Sequence, residues 1–289
     1  DFIFKNLENG MTLGFDGRCV NMRQAEKFVA RLKAKGAGVC TDADLVGSVW
    51  AGRPALSSAP AWELDEKYAG NTREEKLANL RADMNALGAD VFVLTSLEDI
   101  AWLLNIRGGD VQCTPVVLSY FALTPGEATL FVNPAVISKA LSSALARAGA
   151  GIRGYDGIYD YISNISPGSS LLLDGRKANF SIASRVAPSV KIIDKPSPTI
   201  IAKAAKNETE QNNERLAHIR DGAALTKFMY RLKCGLVNPA STELSLADDL
   251  EALRKAQPHY LYPSFSPIVS FREHGAIVHY SATNDSNVP

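Results

Sequence analysis

The longest regular alternation of apolar and polar positions runs from Lys206 to Leu232. Leu216, Ile219, Ala223, Leu225, Phe228, Met229 and Leu232 recur close to a 3.6-residue period, which predicts one long helix. Asn207 is placed as its N-cap, with Glu210 three residues on reaching back as in a capping box. Cys234-Gly235 supplies a C-terminal stop. At 1.5 Å per residue, such a helix of about 27 residues spans roughly 40 Å. His218, Arg220 and Asp221 lie on consecutive faces of it and read as a solvated polar side. The helix separates an α/β region before it from a different kind of segment after it, and it opens a domain that the chain is expected not to finish.

Ahead of that helix the pattern changes period repeatedly. In residues 1 to 52, Thr12-Leu13-Gly14-Phe15 and Val39-Cys40 read as short strands. Asn21 to Lys35 reads as a helix carrying Ala25, Phe28, Val29 and Leu32, and Asp44 to Trp50 as a short helix. These elements are too few for a buried sheet, so further partners are expected upstream. Residues 53 to 70 are rich in Pro, Ser and Ala without a clear period and read as a domain linker. Trp62 and Tyr68 indicate that it packs against a surface.

From 71 to 205, helices and strands alternate. Thr72 and Glu75 form a capping box for a helix bearing Leu77, Leu80, Met84 and Leu87, ended by Gly88. Strands are predicted at Asp90 to Thr95, Val116 to Thr124, Ala128 to Val132, Ile152 to Tyr155, Ser170 to Asp174 and Val190 to Ile193. Pro125-Gly126-Glu127 marks a hairpin between the second and third. Helices are predicted at Glu98 to Leu104, Ala135 to Ala148, Ile158 to Ile165 and Ser181 to Ala187. The class is α/β (α+β), a mixed sheet covered by helices. Beyond the long helix, Ser241-Thr242-Glu243 caps a helix running to Ala256. Pro267 to Phe271 and Gly275 to Tyr280 read as two strands around an Arg272-Glu273-His274 turn.

Composition narrows the function classes. Lys plus Arg and Asp plus Glu both number 31, a balance that speaks against nucleic acid or an anionic membrane as partner. No apolar run approaches the roughly 20 residues of a membrane span, and the N-terminal residues do not read as a signal peptide. Cys19, Cys40, Cys113 and Cys234 lack paired spacing and read as free thiols of a reducing, cytoplasmic compartment. No helix carries an HxxxH pair, no GxSxG occurs, and Gly108-Gly109 is followed by Asp110 without the lysine of a phosphate loop. His274 and His279 lie five apart, so on a regular strand they would face opposite sides and would not pair on a metal. His218 and His259 read as structural or solvated. From the residues alone no complete active site is visible.

Three ordered motifs carry a resemblance. They are Asp99-Ile100-Ala101-Trp102-Leu103-Leu104-Asn105-Ile106-Arg107-Gly108-Gly109-Asp110, then Lys206-Asn207-Glu208 through Ala217-His218-Ile219-Arg220-Asp221-Gly222-Ala223-Ala224, and Gly275-Ala276-Ile277-Val278-His279-Tyr280. Leu13 to Asp16 and Trp62 to Gly70 match more weakly. Together they resemble, essentially from end to end, the long three-domain Xaa-Pro aminopeptidases of the creatinase/prolidase, or pita-bread, superfamily.

The resemblance implies that 1–52 is the C-terminal part of a first creatinase-like domain, 71–205 a complete second one, and 206–289 the start of a pita-bread catalytic domain. It implies a metallo-aminopeptidase that removes the residue before a proline by metal-bridged hydroxide attack, a homodimer, and two divalent metals, manganese by the family pattern. The family's two Asp, one His and two Glu ligands all follow the GAIVHY segment, so metal ligands are expected to be absent from this chain and the chain alone inactive. Asp285 lacks the family's Asp-Ser-Gly context and receives no ligand role. His279 is the one position carried over, as the histidine beside the metal centre that contacts the peptide substrate. Arg107 reads as an interface or folding residue. The alternative is a non-catalytic creatinase-like binding or dimerisation module. A prolidase or creatinase proper would lack the extra domain at 71–205.

Overall fold

The computed structural model describes residues 1–289 and divides them into two units, Asp1–Val111 with Pro115–Ala205, and Gln112–Thr114 with Lys206–Pro289. The first unit opens with α1 (Phe2–Asn6), β1 (Thr12–Gly14), α2 (Met22–Lys33), β2 (Gly38–Cys40) and α3 (Leu45–Val49). Strands β1 and β2 pair in parallel, with Leu13 opposite Val39. Asn21 caps α2 by accepting from the Gln24 amide. The segment before α2 is stitched to the rest of the unit by backbone bonds, Met22 N–H to the Ala178 carbonyl at 2.9 Å and Phe180 N–H to the Val20 carbonyl at 2.8 Å. The Arg23 guanidinium meets Asp194 at 2.7 Å.

The stretch read as a linker carries structure of its own, β3 (Trp62–Glu63) and α4 (Glu66–Ala69). The Ala61 N–H donates to the Val136 carbonyl at 2.8 Å, and Ala61 and Ala69 are buried. There follow α5 (Arg73–Ala86), β4 (Val91–Leu94), α6 (Leu97–Leu103) and β5 (Ile106–Arg107), which pairs antiparallel with β3. Next come β6 (Ser119–Leu123), β7 (Ala128–Val132), α7 (Lys139–Arg147), β8 (Ala150–Gly154), α8 (Gly157–Ser163), β9 (Ser170–Leu173), α9 (Phe180–Ala183), β10 (Lys191–Asp194) and α10 (Pro198–Ala204).

Six strands form one mixed sheet in the order β10-β9-β4-β6-β7-β8. The pairs β10–β9, β9–β4 and β7–β8 are parallel, and β4–β6 and β6–β7 are antiparallel. Strand alternation sends Phe92, Leu94, Phe121, Leu123, Leu130 and Leu172 to one face, where Leu77, Leu80 and Met84 of α5 and Leu141 and Leu145 of α7 cover them. Val91, Val93, Ala122, Phe131, Leu171 and Leu173 pack on the other face with Met22, Ile158, Ile162 and Ile182. All four residues of β4 are therefore apolar and buried, as expected of a central strand covered on both sides.

Between α5 and α6 lies a polar staple. Lys76 and Arg73 are 4% and 8% exposed. Lys76 Nζ donates to the Trp102 carbonyl at 2.9 Å and to Asn105 Oδ1 at 2.7 Å. Arg73 donates to the Leu104 and Asn105 carbonyls. The carbonyls at the α6 C-terminus are thus met by cations, the arrangement that the helix dipole favours.

The second unit holds α11 (Glu208–Lys233) and α12 (Glu243–Lys255). The capping box of Asn207 and Glu210 is formed on both sides, and Gly235 takes φ +66 after the Cys234 C-cap. Arg254 of α12 holds Asp221 of α11 at 2.6 Å. On α11 only Ala224 and Phe228 are buried, while Leu216, Ile219, Leu225 and Met229 of the periodic set are exposed. The two strands expected at Pro267–Phe271 and Gly275–Tyr280 do not form, and a 3-10 turn at Arg272–Ala276 stands there. Arg272 at φ +49 and His279 at φ +58 interrupt the extended run. The Phe271 N–H, which a ladder would have used, donates to a Glu243 carboxylate oxygen at 2.7 Å. No helix of the molecule is long and apolar enough to cross a membrane.

Candidate functional site

The residues that carry chemistry in the second unit gather at the first turn of α12. Thr242 is the N-cap, and Ser245 answers it, its Oγ accepting from the Thr242 N–H at 2.8 Å. The next two amides are satisfied from far along the chain, Glu243 N–H by the Val288 carbonyl at 3.1 Å and Leu244 N–H by Asn287 Oδ1 at 3.1 Å.

The Glu243 carboxylate, 2% exposed, is the hub. It accepts from the Phe271 N–H at 2.7 Å and from the Tyr280 hydroxyl at 2.7 Å, and pairs with His274 Nδ1 at 3.0 Å. The His274 ring stacks on Tyr280 with centroids 4.6 Å apart. Burial alone would raise the Glu243 carboxyl. The Tyr280 hydroxyl, the Phe271 amide and His274 outweigh burial and hold it below the ordinary carboxylate value. The Tyr280 hydroxyl is pushed up, chiefly by burial and further by the carboxylate beside it.

His279 sits next to this anchor, exposed and in the left-handed backbone region. His274, given no role from the sequence, is the histidine that the fold ties in. The remaining flagged residues are elsewhere. His218 is exposed on α11, and His259 is exposed at φ +64. Asp285 is exposed. In the first unit Arg107 Nη1 donates to the Ala101 carbonyl at 2.8 Å, a fold contact. In the same motif a Cβ on Gly108 would lie 2.6 Å from Val117 Cγ2 and 2.9 Å from the Val116 carbonyl, so glycine is set there by close approach. Asp110 accepts from the Leu118 N–H at 2.7 Å, and its other oxygen is buried without a partner.

Sequence reasoning missed Glu243 as a hub, taking it as part of a helix cap. Its only local signal is its position after Thr242. Its partners lie 28 to 37 residues away.

No three His, Cys, Asp or Glu side chains come together in a group that could hold a metal ion. Glu243 has its oxygens committed to three donors, and Asp285 is exposed. The residues present do not fit a two-metal centre.

Comparison with known proteins places these features. Residues 52–210, more than half of the chain, match the model of the Creatinase/Prolidase N-terminal domain.

The chain belongs to the creatinase/prolidase family.

Residues 212–288 match Metallopeptidase family M24. Among its creatinase/prolidase relatives, the Probable Xaa-Pro aminopeptidase P of Neurospora crassa is 34% identical over 285 residues, covering 94% of this chain and 42% of the relative. The Xaa-Pro aminopeptidase app-1 of Caenorhabditis elegans is 31% identical over 294 residues, covering 99% and 48%. The crystal structure of an X-prolyl aminopeptidase from C. elegans, described as a cytosolic enzyme with a di-nuclear active site, superposes with a TM-score of 0.91 at 30% identity, covering 99% of this chain and 48% of that one. The chain spans less than half the length of these relatives.

Proposed function

We propose that this chain is an internal part of a metal-dependent Xaa-Pro aminopeptidase, which releases the residue before a proline from the N-terminus of a peptide. The observation that carries the reading is the likeness to the C. elegans X-prolyl aminopeptidase, which runs over 99% of the chain at a TM-score of 0.91. The domain division follows the same reading. Residues 1–52 close a first creatinase-like domain, 53–70 link it, 71–205 form the second, and 206–289 begin the pita-bread catalytic domain.

His279 is the substrate-contacting residue in this proposal. An exposed imidazole can donate a hydrogen bond to the carbonyl of the scissile bond and strengthen it as negative charge develops on that oxygen. The peptide is the partner, the protein acts as a homodimer in the cytoplasm, and the two metals are manganese. In this reading the metal ligands are not among these residues, and the chain by itself is inactive.

The test is release of the N-terminal residue from an Xaa-Pro-Xaa tripeptide in added manganese. It is run on this chain and on a protein in which the chain is continued to the length of its relatives. Turnover in the longer protein only, lost in His279→Gln, is expected. Turnover by this chain at 31.1 kDa would overturn the placement of the metal site. No turnover in either would favour a non-catalytic creatinase-like binding module.

A further inference from the structure

His279 is held at φ +58, in the left-handed region that few non-glycine residues adopt, Asn, Asp and His more often than the rest. Such a residue persists only where its surroundings over-determine it. Here the surroundings are specific. The turn from Phe271 to Tyr280 contains two left-handed non-glycine residues, Arg272 and His279. Each stands directly beside a residue bonded to Glu243. Phe271 donates its amide and Tyr280 its hydroxyl, both at 2.7 Å. His274 holds the middle of the same turn from Nδ1. The chain after His279 is tied to the same spot. Ser286 Oγ lies 3.3 Å from the Tyr280 hydroxyl and accepts from the Thr283 N–H at 2.9 Å. Asn287 and Val288 then satisfy the first-turn amides of α12. One buried carboxylate therefore closes both ends of the turn that presents the exposed histidine.

We propose that Glu243 is a positioning residue for His279, acting through the Tyr280 hydroxyl and the Phe271 amide to fix the imidazole in the orientation used on substrate. This rests on the role given to His279 above. Glu243 does not touch substrate. It acts by removing backbone freedom, so that the histidine is already oriented when a peptide arrives. His274 supplies the third donor and shields the carboxylate, stacked on Tyr280.

The experiment is nuclear magnetic resonance of this chain, comparing it with Glu243→Gln and Tyr280→Phe. Tyr280→Phe removes one oxygen and keeps the ring, so it remains informative if Glu243→Gln disturbs folding. The readouts are the HN–Hα coupling of His279, which reports its φ, and amide exchange at Phe271 and at Tyr280, whose N–H donates to the Ile277 carbonyl at 3.2 Å. In both variants His279 is expected to leave the positive-φ region. Exchange at Phe271 and Tyr280 is expected to rise about tenfold or more, while amides in β4 and in the middle of α11 keep their rates. An unchanged His279 coupling and unchanged exchange in Tyr280→Phe overturn the proposal. A uniform rise in exchange across α11 and α12 also overturns it, because Glu243 would then be a general support of the unit and not a local one. The reading of His279 itself fails separately, in the tripeptide assay, if His279→Gln leaves turnover intact.

Discussion

The six-stranded sheet and the α11–α12 region reach order by different means. In the first, side chains from two helical layers close over both faces of β4, β6 and β9, and Phe92, Phe121, Leu130 and Leu172 have no exposure at all. In the second, two helices share one ion pair, and Leu216, Ile219, Leu225 and Met229 of α11 remain exposed together with Leu261, Phe265, Ile268, Phe271, Ile277 and Val278. What fixes the irregular chain there is a set of caps and one carboxylate. Apolar burial is spread over many contacts and degrades gradually. A hub of hydrogen bonds is concentrated in a few atoms and can be switched off by changing one of them.

Three experiments test that contrast. The largest effect is expected in the sheet. Phe121→Ala removes a fully buried ring and should destabilise the first unit by about 3–5 kcal/mol, read as a lower denaturant midpoint with the slope unchanged.

The next effect is local and depends on pH. The Glu243 carboxyl lies below its ordinary value in the folded chain. The stability it contributes is therefore fully present above the unfolded carboxylate value, about 4.3, and is lost as pH falls through the folded value. Acidification below about pH 4 should free residues 271–288 while near-ultraviolet signals from the sheet persist. Glu243→Gln should show the freed state already at neutral pH. A single transition shared by the sheet and this segment would break the contrast.

The smallest effect belongs to the exposed face. Ile219→Lys on α11, where Ile219 is 67% exposed, should move stability by no more than about 0.5 kcal/mol. A larger loss in thermal melts of the chain would mean that this face is covered in solution.

The same contrast explains what could be read from the residues. Features decided within one turn were legible. The boxes at Thr72 with Glu75 and at Asn207 with Glu210 form on both sides, and Gly88 and Gly235 end their helices in left-handed geometry. The sheet was legible because Val91–Leu94, Ser119–Leu123 and Ala128–Val132 are short runs rich in apolar and aromatic residues, a signal that is local and strong. Short elements at the margins were not. Pro198–Ala204 is a helix with Ser197 as cap and proline at its first position, a signal that was present but carried by few residues. Trp62–Glu63 becomes a strand only because Ile106–Arg107 lies beside it.

The turn holding His279 was misjudged for a related reason. Its residues alternate as strands do, and the acceptor that diverts the Phe271 amide lies 28 positions earlier. His279 was singled out through the motif that carries the resemblance. Glu243 was not, because its significance lies wholly in contacts at long range.

The staple between α5 and α6 has a consequence for labelling. Lys76 has its ammonium enclosed by the Trp102 carbonyl and Asn105, beneath the Trp102 ring 4.6 Å away. An acylating reagent that samples exposed amines will modify Lys5, Lys27 or Lys67 long before it reaches this one. Acylation of Lys76, followed by mass spectrometry, is thus a clock for the opening of residues 71–105, running at the rate at which the helix pair comes apart.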